Sequence, residues 1–543
     1  MSPALAAILL TALPAEGHIG EEPAPIPAQA AAEATAAPAP APPPAADAEK
    51  PAAEPPAGTA TQAPQPLPEA TSPQAAAKPP LPRQQLKILA QDSRLEAYGE
   101  FRELYEAARY DEALPYAKRV VELSEAMPER DHELPIAYNN LGATQYQLGD
   151  YAGAEASYAK SLALLEETQG ISSRRLIVPL AGLGAVHAAR DEHEIAAELF
   201  DRALAVSRRA DGLFNLAQLP LIRQAADSRY AFSDYGGAER EHMYALKVAE
   251  QNFGYGDART LEPLLEFGAF YESLREFIAA RMMYLRARDV ALGANKGYTP
   301  EAVKSLCGIA RTHRLQYTMD PETLDSQQPA RDEVTGEMVG KVYRESRVPP
   351  PSADRNGLKA AQQALEMLRA TNDPPADLLA ETLIELGDWY QSTSRPAISI
   401  PYYAEAAGIF DARSASDPAA ANPLKAPRLV FYRPPVSASR GLNTLSGQYQ
   451  ILKTVFSFDV SETGEPSNIT VVSTNMNEDQ VALSRRALQK AIYSPRFANS
   501  KAVSTSGVTF TGEWYQEIDP KKVEQQARER EAAEKAATRS GGG

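Results

Sequence analysis

The chain has 543 residues, of which 44% are hydrophobic, and its formal net charge at pH 7 is −16. This length and composition allow several domains with apolar cores, and the acidic balance argues against nucleic acid as a partner. The single cysteine, Cys307, excludes an internal disulfide and a zinc site built from cysteines.

The first 20 residues contain a short apolar run, Ala4 to Leu13, followed by small residues. This pattern is typical of the core of a secretory signal, although no lysine or arginine precedes Lys50. The run is too short to cross a bilayer, which requires about 20 apolar residues. No later stretch is long enough either, so we expect no transmembrane helix. We predict that the chain is exported, and a cytosolic N-terminal tail is the alternative.

Residues 21–85 are rich in proline and alanine, and no aromatic residue precedes Tyr98. A segment of this composition cannot build an apolar core. We therefore predict a disordered linker that is extended and semi-rigid, with much polyproline II character.

Residues 86–413 carry a repeat with a period of 42 residues. Small residues stand at this interval in two columns, which are Gly142, Gly184, Ala226 and Gly268, and Ala154, Ala196, Ala238 and Ala280. Within each repeat, large apolar residues recur three or four positions apart on two segments, as in a pair of helices. We predict seven helical hairpins that pack through the small residues, with an inserted loop at 317–356. Gly170, Gly212 and Gly254 occupy the expected position of a left-handed helix C-cap.

The repeat unit resembles the tetratricopeptide repeat. Leu141-Gly142, Tyr151 and Ala154-x3-Tyr158 carry the resemblance. The period of 42 residues, against about 34 in the usual repeat, is similar to that of kinesin light chain repeats. The resemblance implies a mostly α-helical solenoid whose first helices line a concave surface that binds other proteins or peptides.

In the family, fixed positions of each first helix line this surface. The corresponding residues in this chain are Asn139, Ala143, Tyr146, Arg223, Asp227, Tyr230, Leu265 and Glu272. Their chemistry is mixed, so the class of ligand stays open at this point.

Residues 424–518 change from helical periodicity to alternation. Phe456, Phe458 and Val460 share one face of a strand, and a second strand follows near Val471. Asn477 can cap a helix whose inner stripe is Val481, Ser484, Leu488, Ala491 and Ile492, and a closing strand runs through Val508 to Trp514. These elements predict a small α+β domain.

The order of these elements resembles the C-terminal domain of the TonB energy transducer family. The residues that carry the resemblance are Phe456-Ser-Phe-Asp-Val460, Glu462-Thr-Gly464, Val471-Val-Ser473 and Tyr493-Ser-Pro-Arg-Phe497. In that family, a sheet edge accepts an extended peptide from an outer-membrane receptor. The resemblance implies a TonB-dependent receptor or another envelope protein as a partner, and the periplasm of a Gram-negative bacterium as the location.

Residues 519–543 carry mixed charges and predict a flexible, solvated tail. Upstream, His187, Asp191 and His193 are the best candidates for metal ligands. The two histidines occupy aromatic positions of the repeat, which favours packing, so we predict no catalytic site, metal or cofactor. The predicted function is a non-enzymatic envelope scaffold that binds one protein through the array and another through the sheet domain. The alternatives are a cytosolic assembly scaffold and a regulatory subunit of an envelope enzyme.

Overall fold

A computed structural model describes residues 83–127, 133–294, 297–318, 355–416, 422–435 and 449–517. The predicted signal segment, linker, inserted loop and charged tail lie outside these residues, apart from a few terminal residues that belong to helices. The chain forms two compact units, which divide between Asp211 and Gly212.

Seven helical hairpins are present in the described part of the repeat region. Unit 1 contains α1 (Arg83–Glu106) with α2 (Tyr110–Glu125), α3 (Leu134–Gln147) with α4 (Tyr151–Gln169), and α5 (Ile177–Ala189) with α6 (His193–Asp211). Unit 2 contains α7 (Leu219–Ala231) with α8 (Tyr235–Phe253), α9 (Leu261–Ser273) with α10 (Phe277–Ala294), α11 (Pro300–Thr318) with α12 (Arg355–Arg369), and α13 (Ala376–Ser392) with α14 (Pro396–Ser416). The mostly helical hairpin fold predicted from the 42-residue spacing is confirmed.

The turns of the hairpins follow from local residue chemistry. Asp150 and Asp234 hold equivalent positions before α4 and α8, and each side chain accepts a hydrogen bond from a backbone N–H of the first helical turn. Gly170 and Gly254 end the second helices at φ values of +80° and +93°. Their ψ values of 166° and 156° lie far from the left-handed helix. The positive φ fits the prediction, but the backbone conformation is one that essentially only glycine adopts.

The small residues of the first helices make room for aromatic residues of the second helices. A Cβ placed on Gly142 would lie 3.1 Å from the ring of Tyr158, and one placed on Gly387 would lie 2.5 Å from the ring of Tyr403. A glycine of the first helix thus leaves room for a ring of the second helix in both hairpins. The atoms nearest to the Cβ position of Gly142 belong to the Tyr158 ring, so the small residues of the two columns pack on rings more closely than on each other here.

The C-terminal part of unit 2 is a small α+β domain. Its elements are β1 (Arg428–Phe431), β2 (Tyr449–Val460), β3 (Pro466–Thr474), α15 (Glu478–Gln489), β4 (Ile492–Ser494), β5 (Arg496–Ala498), β6 (Lys501–Val503) and β7 (Thr505–Glu517). The main sheet is antiparallel in the order β3-β2-β7, and β1-β4 and β5-β6 form two short ribbons. The predicted capping box of Asn477 and Gln480 is present. However, α15 ends at Gln489, so Ile492 begins a strand and does not extend the helical stripe.

This sheet domain packs directly on the last hairpin. Leu424 and Phe497 are buried in the same hydrophobic cluster as Tyr403 and Phe410 of α14. The rings of Tyr403 and Phe497 lie 6.1 Å apart. The last hairpin and the sheet domain therefore share one core.

Candidate protein-binding faces

Three of the eight predicted binding residues lie on α3, in unit 1. Asn139 and Ala143 are 3% and 1% exposed, so neither offers side-chain surface to a partner. The cause is that α3 is enclosed along most of its length, since residues 137–145 are all buried. Tyr146 is half-buried, and its ring lies 5.7 Å from that of Tyr151 at the start of α4. Among these three residues, Tyr146 alone keeps accessible surface.

In unit 2, charged residues form a cluster between α7 and α9. The guanidinium of Arg223 on α7 lies 2.7 Å from Glu262 and 2.6 Å from Glu266 on α9. Because one cation is shared by two carboxylates, the cluster keeps a negative charge. Asp227, one turn along α7, is exposed and adds to that charge. An external cation would balance the surplus.

Partial burial changes the protonation of groups in this cluster. Loss of hydration raises the pKa of Glu266 to about 7, although Arg223 opposes the shift. His242 on α8 packs against Phe267 and Phe270, at ring distances of 5.8 and 4.7 Å. Burial lowers the pKa of His242 to about 4. Arg223, Glu266 and His242 line a cavity of about 60 Å³. At neutral pH, His242 is therefore uncharged, whereas Glu266 is only partly ionised.

Tyr230 lies one turn beyond Asp227 on α7, and 38% of its surface is exposed. Its ring is 5.6 Å from the ring of Tyr235 and 6.2 Å from that of Phe270. Since Asp227 and Tyr230 are three positions apart on one helix, their side chains are neighbours on the same side. An accessible ring beside a carboxylate can hold a cation both by charge and by a cation–π contact.

The two predicted binding residues on α9 are engaged inside the protein. Leu265 is half-buried and packs against the main hydrophobic cluster of unit 2. Glu272 accepts hydrogen bonds from Nη2 of Arg311 and from the hydroxyl of Tyr284, both at 3.0 Å. Glu272 therefore connects α9 to α10 and α11, and its charge is already balanced.

The first helix of the last hairpin, α13, binds the sheet domain. The carboxylate of Asp388 accepts a hydrogen bond from Nη1 of Arg428 at 3.1 Å. The side-chain amide of Gln391 donates to the carbonyl oxygens of Thr463 at 2.6 Å and Tyr493 at 3.0 Å. Side chains of α13 thus hold a guanidinium and two backbone carbonyls of a polypeptide that is distant in the sequence.

A buried charge network supports Asp388. Arg314 on α11 donates two hydrogen bonds to Glu385, at 2.8 and 2.9 Å, and lies 3.4 Å from Asp388. The side chains of these three residues are 6%, 7% and 3% exposed. The hydroxyl of Tyr403 also donates to Asp388, at 2.8 Å. Two cations, Arg314 and Arg428, balance the two carboxylates.

Asp388 and Gln391 are absent from the eight residues that the sequence predicts, although their positions were readable. Asp388 directly follows Gly387, as Asp227 directly follows Ala226, and Gln391 stands three positions further along the helix. Extending the columns of the repeat to its last copy would have found both residues. Only the fold shows that these two side chains bind a segment of the same chain.

The free edges of the sheet differ in regularity. Among the described strands, β3 and β7 each pair only with β2. The pairing of β3 has two irregularities and begins at Pro466. In contrast, β7 keeps a regular register with β2 from Tyr449↔Glu517 to Phe458↔Val508. A long, regular edge with unpaired backbone groups can accept a further strand, so β7 is the better candidate for this role.

The three candidate metal ligands do not form one cluster. Nδ1 of His187 lies 2.5 Å from Oε2 of Glu192, and Nε2 of His193 lies 3.7 Å from Oδ1 of Asp191. Within the ranges that the structure describes, no three His, Cys, Asp or Glu side chains come close enough to hold a metal ion. None of the helices in this part of the chain combines the length and hydrophobicity needed to cross a bilayer.

Comparison with known proteins identifies part of the repeat region. The family model of the tetratricopeptide repeat matches residues 104–167, from the end of α1 almost to the end of α4. The resemblance to this repeat is thereby confirmed for that segment. No curated protein matches the chain.

Three solved structures that are similar to the chain share little of its sequence. BtubC (BKLC) from P. vanneervenii is 15% identical, with 53% of this chain and 94% of that chain covered and a TM-score of 0.35. Kinesin light chain repeats from Podosopora anserina are 13% identical, with coverages of 39% and 99% and a TM-score of 0.35. The TPR2AB domain of yeast Sti1, solved with pHSP90, is 15% identical, with coverages of 58% and 99% and a TM-score of 0.19. These similarities are too distant to support a functional argument.

Proposed function

We propose that this chain is a protein-interaction scaffold whose first helices bind polypeptide segments. The observation that carries the proposal is the last hairpin, where Asp388 and Gln391 of α13 already hold Arg428 and two backbone carbonyls of the sheet domain. The equivalent side of α7 is accessible at Asp227 and Tyr230. A helical-hairpin array of this kind is typical of non-enzymatic scaffolds.

The test is a selection of random peptides, displayed on phage, against the immobilised full-length chain. A scaffold of this kind should enrich clones that share a short motif, and the corresponding free peptides should bind in solution with micromolar or better affinity. If repeated rounds enrich no shared motif, the proposal fails.

The finer proposal concerns the sheet domain, which would accept an extended peptide of an envelope receptor along the free edge of β7. It is supported by the resemblance of the sequence motifs to the TonB family and by the regular pairing of β7 with β2. Strand addition uses backbone hydrogen bonds for affinity. N-terminal peptides of outer-membrane receptors should therefore bind the full-length chain, and the same peptides with alternate amides N-methylated should not. Equal binding of both forms would refute strand addition, and so would no binding of either at high micromolar concentration.

The proposed location is the Gram-negative periplasm. Its support is the apolar run Ala4 to Leu13 and the Pro/Ala-rich composition of residues 21–85. Fusion of the first 30 residues to a reporter that is active only after export tests this point. Reporter activity is the expected result, whereas its absence would favour a cytosolic scaffold.

A further inference from the structure

The fourth and seventh hairpins place similar chemistry at equivalent positions. Asp227 of α7 and Asp388 of α13 each follow the small residue that packs on the second helix, Ala226 and Gly387 respectively. Both carboxylates therefore stand at the same position of their first helix. In the seventh hairpin this position is occupied, and in the fourth it is open.

The seventh hairpin shows what this position binds. Asp388 accepts hydrogen bonds from the guanidinium of Arg428, which enters from the sheet domain. Three positions further along, Gln391 holds backbone carbonyls of the same domain. The carboxylate at this position thus binds an arginine from outside the hairpin. The next turn of the helix contacts the polypeptide to which that arginine belongs.

The fourth hairpin lacks such an occupant. Asp227 is exposed, and among the described residues no hydrogen bond or ion pair involves it. Three positions further along, Tyr230 replaces the glutamine and keeps 38% of its surface exposed. A tyrosine ring offers a face on which a guanidinium or an ammonium group can stack.

The charge around Asp227 is not balanced internally. Arg223 is shared by Glu262 and Glu266. Arg259 lines the same cavity but is already paired with Asp257. The exposed side chain of Asp227 also loses part of its hydration to neighbouring atoms, which raises its pKa against the opposing effect of Arg223. A bound cation would restore the interactions that this carboxylate lacks.

We propose that the face formed by Arg223, Asp227, Tyr230 and Glu266 binds a basic peptide segment, with an arginine of the partner on Asp227 and stacked against Tyr230. This inference rests on the proposed scaffold function and specifies the chemistry of one partner. A hydrogen bond to a charged group contributes about 1.5–3 kcal/mol to binding. Removal of the Asp227 charge should therefore weaken peptide binding roughly ten- to 100-fold.

The experiment repeats the peptide selection on the full-length chain and measures selected peptides by fluorescence anisotropy. The expected motif contains arginine or lysine. Asp227→Asn should weaken binding at least about tenfold, and replacement of the motif arginine by citrulline should have a similar effect. Asp289→Asn is the matched control, because it removes an exposed carboxylate from the second helix α10 and should leave the affinity unchanged.

The outcomes separate the two proposals. Enriched peptides without basic residues, or an affinity that Asp227→Asn does not alter, would overturn the inference and leave the scaffold proposal standing. Selection that enriches no motif would contradict both. Since Asp227 is exposed and forms no hydrogen bond or ion pair with the described residues, equal melting temperatures of the wild type and Asp227→Asn should show that the variant is folded.

Discussion

Replacement of Arg314 by methionine tests the buried charge network that supports the contact between α13 and the sheet domain. The change removes two hydrogen bonds from Glu385 and one ion pair from Asp388, all in side chains that are less than 8% exposed. Asp388 would keep Arg428 and Tyr403. Glu385 would stay buried and lose the cation that donates hydrogen bonds to it, with Arg311 nearby as the remaining positive charge. Because removing one partner of a buried pair typically costs about 3–5 kcal/mol, we expect Arg314→Met to lower the free energy of unfolding of unit 2 by that amount.

Urea unfolding followed by tryptophan fluorescence measures this loss. Both tryptophans of the chain, Trp389 and Trp514, lie in unit 2, so the signal reports on this unit alone. With an m-value of about 3 kcal/mol/M, the midpoint should fall by roughly 1–1.7 M. Arg369→Met is the matched control, because it breaks an exposed pair with Glu405 and should cost less than about 1 kcal/mol.

The double variant Arg314→Met, Glu385→Leu sharpens the test. If the cost of the single change comes from the unpaired carboxylate, a second apolar replacement should recover much of the lost stability. A single variant as stable as Arg369→Met, or a double variant no more stable than the single one, would refute the reasoning.

Three further predictions concern backbone, packing and pH. Gly387→Ala should lower the melting temperature, at a cost of about 1–3 kcal/mol, since the added Cβ would lie 2.5 Å from Tyr403. Gly170→Ala should cost about 1–3 kcal/mol through its φ of +80° alone, because no other atom lies within 4 Å of the added Cβ; an unchanged melting temperature would contradict either expectation. The raised pKa of Glu266, from 4.5 to about 7, contributes stability that is present below pH 4.5 and lost as the pH rises to about 7. The lowered pKa of His242, from 6.5 to about 4, contributes stability that is present above pH 6.5 and lost as the pH falls to about 4. The stability contributions of the two groups therefore change with pH in opposite directions. In Glu266→Gln only the contribution of His242 remains, so stability should rise with pH from about 4 to 6.5. In His242→Phe only that of Glu266 remains, so stability should fall from about pH 4.5 to 7. Urea midpoints at pH 5 and pH 7 check both signs, and equal changes in both variants would contradict the assignment.

The sequence alone determined the helical hairpins, the three strands of the main sheet and the helix that follows the second of them in the chain. Apolar spacing of three or four residues reports the period of a helix, and alternation reports the period of a strand, so both patterns are local. The 42-residue interval then placed Gly142 and Ala154 in register with their later copies. For the same reason, the capping box of Asn477 was predictable from two residues three positions apart.

Only the tertiary structure decided which predicted positions are accessible and which are occupied. Asn139 and Ala143 share columns with Arg223 and Asp227, yet the first two are buried and Asp227 is exposed. The contact of Asp388 with Arg428 joins residues 40 positions apart that no periodic pattern connects. Such contacts depend on how helices and strands pack over long distances along the chain. Local spacing specifies the helices and strands, but it does not determine which surfaces they bury when they pack together.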